Sequence, residues 1–328
     1  MECSADGDGS MANLIITNYC NAECPFCFAA DSRHRMMRNG SREMDETEFR
    51  GWLEFSMGGG NRELRLLGGE PTLHPLFPEF VKVGREAGCP VTVFSNGVMP
   101  AASCEALAAL DPEICNVVIN MGANIREADK AVRKDTLQKL GPRVTLGYTI
   151  TSAEFSFDGA IALIGAFGLR KNIRIGLAHP TWRGANKALH PKRYPAAGRR
   201  LLEESFRTAR YGISLDADCG FVRCMFGNSF DRLTANGFRY ISKCSPVLDL
   251  CTGGKILPCF ALSNLPAAEQ ETFPDAEAAY DHFAEKLKPL RTFGIYPECS
   301  ECVYFETELC CGGCIAARLR RLQPMEVR

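Results

Sequence analysis

The chain has 328 residues, room for about two domains at roughly 150 residues each and enough length to bury a real core. It is 46% hydrophobic and 23% charged, with 38 Lys and Arg against 39 Asp and Glu, a formal charge of −1. This excludes a disordered tail, a disulfide-stapled miniature and the basic field that gathers nucleic acid or an anionic membrane. No export signal and no uncharged run near about 18 residues stands out, the best being residues 161–169. The expectation is a cytoplasmic protein with neither nucleic-acid nor membrane partners.

Residues 1–11 are small, polar and Gly-rich, ending at a methionine that suits a natural start, and read as a tag or a disordered N-terminus. From there short apolar runs alternate with helical-period segments. The runs are 14–17, 63–67, 91–95, 117–120, 144–150 and 173–177. The first helix follows Asp45, spaced to Glu48 as a capping box, and extends to about residue 57. Others are expected at 75–87, 101–110, 126–140 and 158–167, several ending at a glycine (Gly88, Gly141, Gly168). Six strand-then-helix units in series imply a parallel sheet with right-handed crossovers, open or barrel-like, with the chemistry at the carboxyl ends of the strands. A further helix is expected at 194–211, after which the texture changes. Residues 213–328 carry most of the cysteines, few long periodic stretches and much Gly and Pro. The expected division is therefore 12–212 and a small, cysteine-rich 213–328.

Cysteine is the outlier, at 17, an odd number that a complete disulfide framework cannot use. Three stand at Cys20, Cys24 and Cys27, and ten lie between Cys219 and Cys314. Clustered thiols in a reducing cell point to metal. Just after the first strand, Cys20, Cys24 and Cys27 are spaced x3 and then x2. Three local thiolates can hold three corners of a four-iron cubane and leave one iron open; a zinc loop is the competing reading. At the end of the second strand come Gly68, Gly69, Glu70 and Pro71, where glycines let backbone approach a ligand and a carboxylate can receive an ammonium group.

On these two motifs the sequence resembles the radical S-adenosylmethionine (radical SAM) superfamily, across roughly residues 12–180. The resemblance implies a partial (β/α)6 TIM-type barrel, an α/β fold. It implies that Cys20, Cys24 and Cys27 hold a 4Fe-4S cluster whose open iron is chelated by SAM. Gly68, Gly69 and Glu70 would then contact the SAM amino end, Phe26 would lie near the adenine, Asn120 would meet the ribose, and Leu177 would give a backbone contact to adenine. An electron donor such as flavodoxin or ferredoxin is implied as a partner.

The later cysteines look like the SPASM extension, which adds auxiliary iron–sulfur clusters. Cys244, nine residues, Gly254, four residues and Cys259 fit its first piece. Cys299-x2-Cys302 fits as well, but seven residues separate Cys302 from Cys310, and no cysteine follows Cys314 in the sequence given. Cys219 and Cys224 are candidates to complete a first auxiliary cluster with Cys244, Cys259 and Cys314. Cys299, Cys302 and Cys310 begin a second, with Cys251 or Cys311 as its fourth ligand. One or two auxiliary 4Fe-4S clusters, or one plus a zinc site, satisfy the spacing.

Among weaker candidates, His179 follows the sixth strand, where it faces the barrel mouth or is a loop histidine. Asp249 is a candidate general base or a turn former. Arg33, Arg35, Arg38 and Arg42 meet an acidic substrate or form a solvated loop; the solvated loop is the simpler reading. His74 packs or caps a helix. The function expected is reductive cleavage of SAM and hydrogen abstraction from a C–H bond of a ribosomally made peptide or a protein side chain. A dehydrogenase or epimerase of a small molecule such as a sugar or nucleoside, and a metal-binding scaffold without turnover, are the alternatives. The stretch before the first strand is short for a leader-peptide recognition domain.

Overall fold

The computed structural model describes residues 11–40, 42–182 and 185–322; residues 1–10, most of the stretch read as a tag, lie outside the described residues. The first six strands are β1 (Ala12–Thr17), β2 (Leu64–Gly68), β3 (Val91–Ser95), β4 (Cys115–Asn120), β5 (Val144–Ile150) and β6 (Asn172–Leu177). They pair in that order and all in parallel. Alternation decides which face each residue takes. Leu14, Leu66, Val93, Val117, Leu146 and Ile175 point into the main core, against the helices. Asn13, Arg65, Thr92, Asn116, Thr145 and Arg174 fall on the concave face.

The helices between the strands follow their sequence signals closely. They are α1 (Ala30–Arg38), α2 (Glu46–Gly58), α3 (Phe77–Glu86), α4 (Ala101–Ala108), α5 (Lys130–Leu140), α6 (Asp158–Phe167) and α7 (Tyr194–Ala209). Two findings depart from expectation. The segment expected as a solvated basic loop contains α1, and its Arg33 is only 7% exposed. The capping box forms by half: the Asp45 carboxylate accepts from Glu48 N at 2.8 Å, but the Glu48 carboxylate turns away to accept from Gly253 N and Gly254 N.

Past α7 the chain extends the same sheet at both edges. β7 (Ser214–Ala217) and β8 (Phe238–Arg239) add in parallel beyond β6. β9 (Leu248–Cys251) pairs in parallel with β1, and the antiparallel β10 (Lys255–Leu257) and β11 (Ala268–Glu269) complete that side. Among the described residues the sheet therefore has eleven strands in the order β11-β10-β9-β1-β2-β3-β4-β5-β6-β7-β8, an unclosed barrel-like surface larger than the six units expected. Gly212 lies between α7 and β7, and strands from both sides of it share this sheet.

A small second core on the concave side gathers Ile15, Ala29, Cys251, Leu257 and Phe260, with Cys27 and Met36 against it. It ties the loop after β1 to the cysteine-rich region. No helix among the described residues is long and apolar enough to cross a membrane.

Candidate functional site

The loop carrying Cys20, Cys24 and Cys27 leaves the carboxyl end of β1, and the Gly68–Pro71 stretch leaves the carboxyl end of its neighbour β2. The two are bonded backbone to backbone: Gly69 N donates to Thr17 O (2.8 Å) and Glu70 N to Tyr19 O (2.7 Å). Gly69 has to be glycine for reasons of space, because a Cβ would collide with the Tyr19 carbonyl and stand 2.6 Å from Nη1 of Arg33.

Each thiol of the loop is half-buried. Ala22 N donates to Cys20 Sγ at 3.4 Å, and Asn124 N, from the loop after β4, donates to Cys24 Sγ at 3.3 Å. Burial pushes both thiols up from their ordinary range, and these N–H donors together with the nearby Arg33 charge oppose it. Arg33 also donates to Cys20, yet its Nε is buried with no hydrogen-bond partner. Three sulfurs, two of them backed by N–H groups, and one guanidinium are a donor set suited to an anionic iron–sulfur centre.

Beside them opens a cleft of about 540 Å³ lined by Phe26, Gly122, Asn124, Tyr148, Thr149 and Lys187. Asn120 braces its wall: Nδ2 donates to Thr149 Oγ1 (3.3 Å), and Oδ1 accepts from Gly122 N (2.9 Å). The Phe26 ring packs against Gly122, where a Cβ would stand 3.4 Å away. Leu177 puts its side chain into the main core and pairs by backbone with β5. Glu70 is 1% exposed, and its carboxylate accepts from Thr72 Oγ1 (2.7 Å), Ser95 Oγ (2.9 Å) and Asn96 N (2.7 Å). Here it straps the β2 loop to the end of β3.

Of the two catalytic candidates, Asp249 sits apart from the cysteine loop, whereas the main chain of His179 is tied to it by Asn186, whose Nδ2 donates to His179 O (2.8 Å) and Phe26 O (3.2 Å). Asp249 pairs in register with Asn13 at the far end of β1, four residues, or about 13 Å, before Thr17. It accepts from Asn13 Nδ2 (2.8 Å), Asn13 accepts from Arg65 Nε (3.0 Å), and burial pushes the carboxyl up to about 7. Arg65 and Arg174 both lie over the Phe94 ring, and Arg174 reaches Asp218 at 2.9 Å, so a polar band crosses the concave face. His179 stands at the other side of that band: its ring fills the space above Gly220, with Nε2 3.1 Å from Cys219 O.

The later cysteines fall into two groups by the charges they feel. Cys219 faces Cys244, Cys314 and Cys259, while Cys224 faces Cys310, Cys299 and Cys302. Cys311 lies between the groups, near Cys244 and Cys310, and Cys251 is buried in β9. Sequence spacing joins Cys224 to the first group; the structure puts it beside the second. Sequence reasoning favoured a solvated loop for Arg33 for want of any apolar stripe in its helix.

Residues 14–145 match the Radical SAM superfamily. The chain is 22% identical over 280 residues to the PqqA peptide cyclase of Ruegeria pomeroyi, covering 79% of this chain and 70% of that one. It shares its fold with SuiB of Streptococcus suis: bound to S-adenosylmethionine, that structure gives a TM-score of 0.67 at 13% identity over 94% of this chain and 73% of that one. Residues 14–145 thus form a radical SAM domain.

Another superfamily relative, the GTP 3′,8-cyclase of Chlorobaculum tepidum, is 30% identical over 96 residues, 29% of this chain and 28% of that protein, so the chain spans well under a third of it. SuiB has also been solved with its precursor peptide SuiA, at TM-score 0.65 and 16% identity, over 94% of this chain and 72% of that one. The match to SuiB extends over 94% of this chain and so takes in both its barrel-like sheet and its cysteine-rich C-terminal region.

Proposed function

We propose that this chain is a radical SAM enzyme that abstracts hydrogen from a C–H bond of a ribosomally made peptide or a protein side chain, leading to a crosslink, an epimer or an oxidised residue. When bound, a 4Fe-4S cluster supplies an electron to SAM and so releases a 5′-deoxyadenosyl radical. The observation that carries the reading is the meeting of three thiols, a buried guanidinium and an open cleft at the carboxyl ends of β1, β2 and β4.

In this reading Cys20, Cys24 and Cys27 hold the cluster. Gly68 and Gly69 let the methionine part of SAM lie along the backbone, and Glu70 keeps that backbone in place through Thr72, Ser95 and Asn96. Phe26 offers a face to the adenine, Asn120 shapes the wall beside the ribose, and Leu177 presents main chain. The concave polar band, with Asp249 at one end, receives the substrate and has a carboxyl able to take a proton near neutral pH. His179 holds the loop of Cys219 rather than touching substrate. Cysteines of region 213–328 carry one or two auxiliary clusters, and a flavodoxin- or ferredoxin-type donor delivers the electron in a cytoplasmic setting.

Support for a peptide substrate comes from the two peptide-linked relatives; the match to a GTP cyclase favours a small-molecule substrate instead. Anaerobically reconstituted protein with dithionite and SAM should release 5′-deoxyadenosine, and Cys24→Ala should abolish it. If wild type releases none, the enzymatic reading falls. Short Cys-, Ser- or Thr-bearing peptides from neighbouring reading frames, scored by mass change, then separate peptide from small-molecule chemistry.

A further inference from the structure

The loop that follows β6 folds back over the cysteine loop, and Leu189 N closes its base by donating to Ala178 O (2.8 Å). Within it Asn186 uses both ends of its side-chain amide. Oδ1 accepts from Thr181 N (2.8 Å), while Nδ2 donates to His179 O (2.8 Å) and to Phe26 O (3.2 Å). Two of these bonds shape the loop itself, and the third leaves it. Neighbouring groups grip the same stretch of chain: Lys187 N donates to Pro25 O (2.7 Å), and Thr181 Oγ1 to Phe28 O (3.2 Å). The carbonyls on both sides of Cys27 are thus held from the loop after β6, while Cys27 N donates to Cys24 O (3.0 Å) inside the cysteine loop. The Phe26 ring meets Gly122 from the opposite wall, where a Cβ would stand 3.4 Å from it.

We propose that Asn186 is a positioning residue for SAM: it pins the Phe26 main chain to the loop after β6, so that the Phe26 ring holds its place as a wall of the cleft before SAM arrives. The proposal rests on the reading of that cleft as the SAM site and adds a residue outside both sequence motifs. Asn186 does not line the cleft, and it acts through Phe26, which does. Its two bonds within the loop fix the amide, so the bond to Phe26 O is made by a side chain already ordered. The chemistry is that of an amide alone. An aspartate keeps the acceptor for Thr181 N but sets a carboxylate against two carbonyl oxygens, and alanine loses all three bonds. A wall ordered in advance lowers what the ligand must fix on binding, so its loss falls on SAM affinity and not on the chemical step.

The test compares the anaerobically reconstituted full chain with its Asn186→Ala and Asn186→Asp variants. Iron content and the EPR spectrum of the reduced cluster without SAM should match wild type in both. The SAM concentration that half-perturbs that spectrum, and the KM for SAM in dithionite-driven release of 5′-deoxyadenosine, should each rise about tenfold, the effect of losing about one hydrogen bond, with kcat within about twofold of wild type. Asn186→Asp, which keeps the bond from Thr181 N, should be impaired at least as much as Asn186→Ala, and it carries the test alone should the alanine variant not fold. Hydrogen exchange of the SAM-free holoprotein should quicken in peptides covering residues 24–28 in both variants. An aspartate variant with wild-type SAM affinity would make Asn186 a brace of its own loop and overturn the proposal. Unchanged affinity in Asn186→Ala, or loss of iron from both variants, overturns it as well. Wild type that neither cleaves SAM nor changes its spectrum on adding SAM would instead sink the reading of the cleft, a result that no variant of Asn186 can produce.

Discussion

Arg33 lays its guanidinium against the backbone of Gly69, with Nη1 2.6 Å from where a Cβ on that glycine would stand, and reaches Cys20 from the same position. A helix residue thus joins the two loops that the superfamily resemblance treats separately. Its Nε has no partner, and a buried unpaired donor of a cation has a high cost unless an anion completes it. The carboxylate of SAM is such an anion. Arg33→Ala is expected to weaken SAM binding about tenfold, read from the SAM concentration that half-perturbs the reduced cluster's EPR spectrum. Arg33→Lys should recover only part, since an ammonium lacks the planar fork. Equal SAM affinity in all three proteins would remove Arg33 from the site.

Glu70 makes a separate prediction, about the loop rather than the ligand. Its carboxylate accepts from two backbone N–H groups, of Thr72 and Asn96, and two hydroxyls, all buried. Replacement by Gln swaps an acceptor for a donor opposite at least one of them, which costs about 1–3 kcal/mol. Glu70→Gln should therefore lower the melting temperature as well as SAM binding. A variant with unchanged stability would mean that Glu70 serves the ligand directly.

Asp249 sets a pH dependence. Burial raises its carboxyl from 3.8 to about 7. Between those values the folded protein binds a proton that the unfolded chain does not, so stability falls as pH rises from about 4 to about 7 and levels off above. The full change is on the order of 4 kcal/mol. Below pH 4 both states are protonated and the effect vanishes. Asp249→Asn should flatten this slope and gain most, relative to wild type, at pH 8, measured by denaturant unfolding at several pH values. Parallel pH profiles of the two proteins would show that Asp249 is not the group responsible.

The legibility of the fold follows from how local its signals are. The strands β1 to β6 are marked by short apolar runs, and α6 by a glycine in left-handed conformation at Gly168 after ten continuous helical residues. The helix α1 is hidden because it buries Ser32 and Arg33 in place of an apolar stripe. β9 is hidden for another reason: it pairs with β1, whose Asn13 is 236 residues away from Asp249, and only four residues carry it. The thiol groupings are invisible for a third reason, since ten like residues allow many partitions and spacing cannot rank them.

Glu48 shows how a local signal can serve a distant element. Its spacing from Asp45 suggests a reciprocal cap, but its carboxylate instead accepts from Gly253 N (2.6 Å) and Gly254 N (3.2 Å), 205 and 206 residues away. Gly253 and Gly254, with φ of 76° and 70°, make the turn between β9 and β10, a conformation that costs other residues roughly 1 kcal/mol or more. That turn fixes the strand leading to Cys259. Asp45→Ala should cost about 1 kcal/mol by loss of one cap. Glu48→Ala frees two turn N–H groups and loosens the Cys259 segment, and should cost more, about 1–3 kcal/mol, measured by denaturant unfolding. Glu48→Gln, which keeps one acceptor, should fall between. Equal costs for Asp45→Ala and Glu48→Ala would reduce Glu48 to an ordinary helix residue.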